Sequence, residues 1–187
     1  MVFLALVLGS ALAGDPGSYR FGLVGGAGGG AGTPSPFGDG GASGVGYVTG
    51  RLLIQGARVS AEFGAREGWA FDDSRSTGGL FFGARVPLGD TFHARVGFAH
   101  HHEVPQALAV DAPLQSALGS ADGIRHRSGA ELGFGGILPI EERQLGDRLG
   151  VGADLGLVAF PDTHGPRAYA FFDLSVIIGA GARRPEG

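Results

Sequence analysis

The feature that most constrains this chain is a strict alternation of apolar and polar residues, sustained over most of its length. In the stretch Ala57 to Phe71, Ala57, Val59, Ala61, Phe63 and Ala65 are apolar, whereas Arg58, Ser60, Glu62 and Arg66 are polar or charged, with Gly64 between them. A period of two is that of a strand with two unlike faces. The pattern recurs in eight segments. Tyr19, Phe21 and Leu23 oppose Arg20, Gly22 and Val24, and a less regular strand runs from Ser43 to Ile54. Leu80, Phe82, Ala84 and Val86 oppose Phe81, Gly83 and Arg85, and Phe92, Ala94, Val96 and Phe98 oppose His93, Arg95 and Gly97. Ala130, Leu132 and Phe134 oppose Arg125, Arg127, Gly129 and Glu131. In the seventh segment Leu149, Val151, Ala153, Leu155 and Leu157 oppose Gly150, Gly152, Asp154 and Gly156, and in the eighth Ala170, Phe172, Leu174 and Val176 oppose Tyr169, Phe171, Asp173 and Ser175. No helical period of comparable quality interrupts them. The expected class is all-β and antiparallel.

Two apolar environments can receive the apolar faces: the core of a soluble β-sandwich or lipocalin-like binder, or lipid. The charged faces decide between them. They carry glycine at 22, 64, 83, 97, 129, 133, 150, 152 and 156, and a face in open water has no reason to be so small. The interior of an eight-stranded barrel does, because it is only just wide enough for side chains. Arg58, Glu62, Arg66, Arg85, Arg95, Arg125, Arg127, Glu131, Asp154 and Asp173 are therefore expected inside as a paired polar core, and the apolar face is expected to meet lipid. Trp69 and Phe71 then fall at the outer end of the third strand and Tyr19 at the inner end of the first, where interfacial aromatics sit. Such a lumen is narrow and charged and leaves no wide pore.

The connections agree with that reading. Long or polar links follow odd-numbered strands: 28–42, 72–77, 103–122 and 161–166. Gln55-Gly56 and Pro87 to Asp90 make tight turns, and only the sixth link, 137–147, is longer than the rule predicts. Strands of about ten residues suit a tilted bilayer crossing, and alternating short and long links are the mark of an up-and-down transmembrane barrel. In these features the chain, from about Ser18 to Ala180, resembles the small outer-membrane β-barrels, the class that includes the membrane domain of outer-membrane protein A. The resemblance implies an eight-stranded, monomeric barrel in a Gram-negative outer membrane, in contact with membrane lipid and lipopolysaccharide. It implies a structural or surface-interaction role. The chain ends Gly-Ala-Arg-Arg-Pro-Glu-Gly instead of in the aromatic residue usual in that class, which points to an assembly signal near Phe171 or Phe172.

Composition excludes other classes. The 187 residues carry a net charge of −4 and no cysteine, so no global basic field points to nucleic acid and no thiol chemistry or disulfide is available. No cofactor is implied: Gly25 to Gly32 lacks the Lys-Ser/Thr ending of a phosphate loop, and no helical pattern follows it. At the front, Val2 to Leu8 are apolar and Ala11-Leu12-Ala13 fits a small-x-small cleavage pattern. Residues 1–13 are therefore expected to be a secretory signal and 14–187 the barrel, the alternative being a buried N-terminal strand or helix.

Chemistry is concentrated at one rim. His100, His101, His102 and Glu103 stand where the fifth strand leaves the membrane, and His126 and Ser128 where the sixth re-enters. Parity turns His100, His102, His126 and Ser128 outward and His101 inward. A serine beside histidines and an acid invites a nucleophile reading. His126-x-Ser128 resembles the lipid A 3-O-deacylases, barrels with a His-Ser-acid site on the outer wall. That resemblance implies an esterase acting on lipid A with His126, Ser128 and, as candidate acid, Glu103. It departs from the family at Gly129, where the family has asparagine, and no outward carboxylate follows on the upper part of the seventh strand. His100, His102 and His126, with Glu103 near, also form a nitrogen/oxygen set of the kind that binds metal. The plainer alternative is that interfacial histidines contact phosphates and water.

Overall fold

Every alternating segment becomes a strand. The computed structural model describes residues 20–32, 43–56, 59–71, 75–112, 115, 119–120, 122–142, 148–161 and 167–181. The expected signal segment, Tyr19, Arg58 and the loop around Pro34 to Gly41 lie outside these. The strands are β1 (Arg20–Gly32), β2 (Ser43–Gln55), β3 (Ser60–Ala70), β4 (Arg75–Leu88), β5 (Phe92–Pro105), β6 (Arg125–Glu142), β7 (Arg148–Phe160) and β8 (Arg167–Gly181), with one short helix, α1 (Gln106–Asp111), after β5. Each strand pairs antiparallel with its sequence neighbour, and β1 closes on β8, for example through Leu23 opposite Ile178. The result is an eight-stranded up-and-down barrel. Closure leaves no unpaired edge, which a strand in lipid could not tolerate.

The strands run longer than the pattern predicts, and this corrects four expected links, of which 72–77 gives up Arg75 to Thr77 to β4. Gly28 to Gly32 belong to β1 and are not a loop; they pair with Tyr169 to Asp173 of β8. Here glycine makes room: a Cβ at Gly28 would lie 2.8 Å from Asp173 Oδ1 and 2.9 Å from the Tyr47 hydroxyl. Glu103 likewise belongs to β5, which continues to Pro105. β6 runs on to Glu142 through an irregularity between Pro139 and Glu141, so the expected sixth link shortens to 143–147.

Parity sorts the side chains into two environments. One apolar row crosses the outer wall through paired residues: Leu23, Leu52, Phe63, Phe82, Phe98 and Ala130. Leu23 is 64% exposed, and Leu132, Leu155 and Leu174 each exceed half. Phe63 and Phe82 face outward too, half covering each other with ring centroids 4.9 Å apart. A soluble monomer rarely exposes contiguous apolar surface of more than a few hundred Å², so the wall is built for a non-aqueous surrounding. On the inner side a Cβ at Gly64 would press on Arg51 Cγ at 2.8 Å, and one at Gly97 would meet the Phe81 ring at 2.7 Å. The glycines of the charged face are the space that the large inner side chains occupy.

Candidate functional site

Two groups of polar residues stand out, one inside the barrel and one on its wall. Inside, Glu62 accepts from Arg51 Nη1, Arg85 Nε and Arg95 Nε, all at 3.2 Å. Arg95 Nη2 also donates to Glu131 Oε1 at 3.1 Å, and Arg51 Nη1 to Asp154 Oδ2 at 3.2 Å. Arg66 reaches Glu131 at 3.4 Å and Asp173 at 3.8 Å. Its guanidinium lies between the Tyr47 and Phe171 rings, 4.7 and 4.6 Å from their centroids. His93 Nε2 meets Asp154 Oδ1 at 2.7 Å. Nearer the long-loop end, the Tyr169 hydroxyl donates to Glu103 at 3.0 Å, and Arg127 lies 3.8 Å from the same carboxylate.

Among the described residues, five arginines (Arg51, Arg66, Arg85, Arg95, Arg127) thus stand among five carboxylates (Glu62, Glu103, Glu131, Asp154, Asp173). The cavity bounded by Arg51, Arg95, His101 and Glu131 measures about 30 Å³, room for a water or two but not for a solute.

Of the predicted inner residues, Glu62, Arg66, Arg85, Arg95, Arg127, Glu131, Asp154 and Asp173 face this network. Arg125 is corrected: it shares their parity but sits exposed at the open end of β6, above the enclosed part of the lumen. The sequence reading missed Arg51, and it placed His93 on the polar face without counting it in the charge network. Arg51 escaped because Gly50 on the outer face blurs the alternation of β2, although Tyr47, Thr49, Arg51 and Leu53 do alternate with Val48, Gly50, Leu52 and Ile54.

The wall site lies near the long-loop end. Register pairs Leu80, His100 and Ser128 in one row and Glu67, Gly78, His102 and His126 in the next. His100 Nδ1 is 3.2 Å from Ser128 Oγ, and His100 Nε2 is 3.1 Å from His126 Nδ1. The His100 and His126 rings stack with centroids 5.3 Å apart. One ring nitrogen from each of His100, His102 and His126 falls within 4.8 Å of the others. His102 is buried although its strand face points outward, because chain from the β5–β6 connection covers it. Gly119, at φ +68°, comes so close that a Cβ there would lie 2.8 Å from His126 Cε1.

The expected acid is corrected. Glu103 points into the lumen, fully buried beneath Tyr169 and Arg127, on the opposite side of the wall from Ser128. A strand that continues past His102 sends the next residue to the other face. The carboxylate that does approach the cluster is Glu67, which sequence reasoning passed over because it lies on β3, two strands from β5. A Cβ at Gly78 would come within 2.9 Å of Glu67 Oε2 and collide with His102 Nε2, so this glycine lets the two side chains converge.

No protein-family model and no curated protein sequence matches the chain. Solved structures do. The crystal structure of Neisserial surface protein A (NspA) superposes with a TM-score of 0.51 at 10% identity, over 89% of this chain and 98% of that one. This chain has the fold of the small eight-stranded outer-membrane barrels. Alignments to a deletion mutant of the TodX monoaromatic hydrocarbon channel and to the translocator domain of autotransporter NalP from Neisseria meningitidis give TM-scores of only 0.26 and 0.28, at 10% and 13% identity.

Proposed function

We propose that the chain is a monomeric bacterial outer-membrane barrel that acts through its outer wall and long loops, as a structural or surface-interaction protein and not as a pore. One observation carries this: an apolar outward wall encloses a lumen plugged in its middle by paired arginines and carboxylates, where the cavity is about 30 Å³, with a larger one of about 330 Å³ lined by Ser60, Arg85, His93 and Ile177 at the short-turn end. The wall suits lipid, and the plugged lumen removes the path a solute would need. The single tryptophan gives a clean test, because Trp69 is 52% exposed at the long-loop end of β3. Reconstituted into vesicles of brominated phospholipid, its fluorescence should be quenched, most strongly by bromines near the headgroup, and the same preparation should show no conductance steps in planar bilayers. Unquenched fluorescence would reject the membrane reading in favour of a soluble binder, and stepwise conductance would reject the sealed lumen.

A second reading has one observation in its favour. Ser128 Oγ at 3.2 Å from His100 Nδ1 is a nucleophile–base distance, on the wall where an outer-leaflet lipid hydrolase would work on lipid A. What it lacks is an acid to orient His100, whose other nitrogen turns to His126. We therefore expect lipid A from cells expressing the wild-type chain or Ser128→Ala to give the same acyl pattern by mass spectrometry. Loss of an acyl chain in the wild-type sample alone would promote the hydrolase.

A further inference from the structure

We propose that His100, His102 and His126 form a three-histidine site for one divalent transition-metal ion, of the Zn²⁺ class, on the outer wall of the barrel. The inference rests on the fold and the cluster alone and does not depend on the membrane reading or on the hydrolase.

The distances suit an ion. Zn²⁺ binds imidazole nitrogen at about 2.0–2.1 Å in a tetrahedron, which sets ligand nitrogens a little over 3 Å apart. His100 Nε2 and His126 Nδ1 are 3.1 Å apart. The third ring lies within reach, because a nitrogen from each histidine falls within 4.8 Å of the other two, and a small rotation of His102 about its side-chain torsions closes the difference. His102 Nδ1 and His126 Nδ1 are both 3.6 Å from the point where a Gly119 Cβ would be. This assigns Nδ1 as the metal-facing atom of His102.

The outer partners set the tautomers. In the tautomer with Nδ1 protonated, His100 donates to Ser128 Oγ at 3.2 Å and keeps its Nε2 lone pair for the ion. A Cβ at Gly78 would lie within 3 Å of both His102 Nε2 and Glu67 Oε2, so ion binding need only draw the carboxylate onto that nitrogen. A carboxylate that accepts the far N–H of a metal-bound imidazole fixes the ring and raises its basicity, and such outer partners are worth about 10–100-fold in affinity. Three nitrogens leave a fourth position for water or another ligand. Imidazole selects Zn²⁺, Cu²⁺ or Ni²⁺ over Mg²⁺ and Ca²⁺.

The test is Zn²⁺ titration of the full chain folded in detergent, by calorimetry at neutral pH, with folding of every variant checked by its heat-dependent gel mobility. We expect one Zn²⁺ per chain at micromolar affinity or tighter, and a Co²⁺ form with the intense visible bands of a four-coordinate site. Glu67→Gln should weaken binding about 10-fold or more, and His126→Ala should weaken it further still. Affinity should fall as the pH is lowered, because protons and the ion compete for the same imidazole lone pairs. If His126→Ala does not fold, Glu67→Gln and the Co²⁺ spectrum of the wild-type chain carry the decision. No binding at millimolar Zn²⁺, an octahedral Co²⁺ spectrum, or unchanged affinity in Glu67→Gln or a folded His126→Ala would each overturn the site.

Discussion

At the residue scale, Glu62 shows why the interior must be balanced. It is fully buried and accepts from three arginines. A lone charge there would cost several kcal/mol of desolvation, and only the surrounding opposite charges offset that. Removing the carboxylate takes one ion pair from each of Arg51, Arg85 and Arg95 and leaves a surplus of enclosed positive charge. Glu62→Ala should therefore lower stability by about 3 kcal/mol, the range for breaking a buried pair. A heat-modifiability series would read this as a lower temperature of conversion to the unfolded band; an unchanged temperature would mean that the network is energetically slack. Glu131, bonded by Arg66 and Arg95, belongs to the same network. Its alternation with Ala130 and Leu132 was legible from sequence, and its partners were not.

At the element scale, the glycines decide how the strands approach. In β1 the run Gly25 to Gly32 is strand, and its members differ sharply by face. Gly25 points outward with no atom near a notional Cβ, whereas a Cβ at Gly28 would run into the Phe172 carbonyl, Asp173 and the Tyr47 hydroxyl. Gly28→Val should destabilise the barrel by about 1–3 kcal/mol through overpacking. Gly25→Val should be neutral or slightly stabilising, since valine is the better strand residue. Urea unfolding midpoints of the two variants would separate them, and equal midpoints would contradict the assignment of faces. In composition the run looks like a loop. It becomes a strand because β2 and β8 offer hydrogen-bond partners on both sides, which no local propensity records.

At the scale of the whole molecule, closure explains both the strength of the sequence signal and the place where it failed. A barrel imposes one parity on all eight strands, so inner and outer sets read directly from alternation, and nearly all the enclosed charges were found that way. Closure also joins residues far apart in sequence. Arg51 and Asp154, 103 positions apart, meet in the lumen. Glu67 approaches His102 across β4. The wall cluster was half legible for the same reason: His100, His102, His126 and Ser128 share a parity and adjoining strands, whereas Glu67 enters from a third strand over a glycine.

The sequence by itself determined the class, the number of strands, the two faces and the outward row of histidines, because a period of two is a local property that any strand must obey. Only the tertiary structure decided where each strand stops, which acid each arginine meets, and that Glu67 approaches His102 while Glu103, kept in strand, meets Tyr169 and Arg127. Those outcomes depend on register, and register is set by pairing between strands, which alternation within a single strand leaves open.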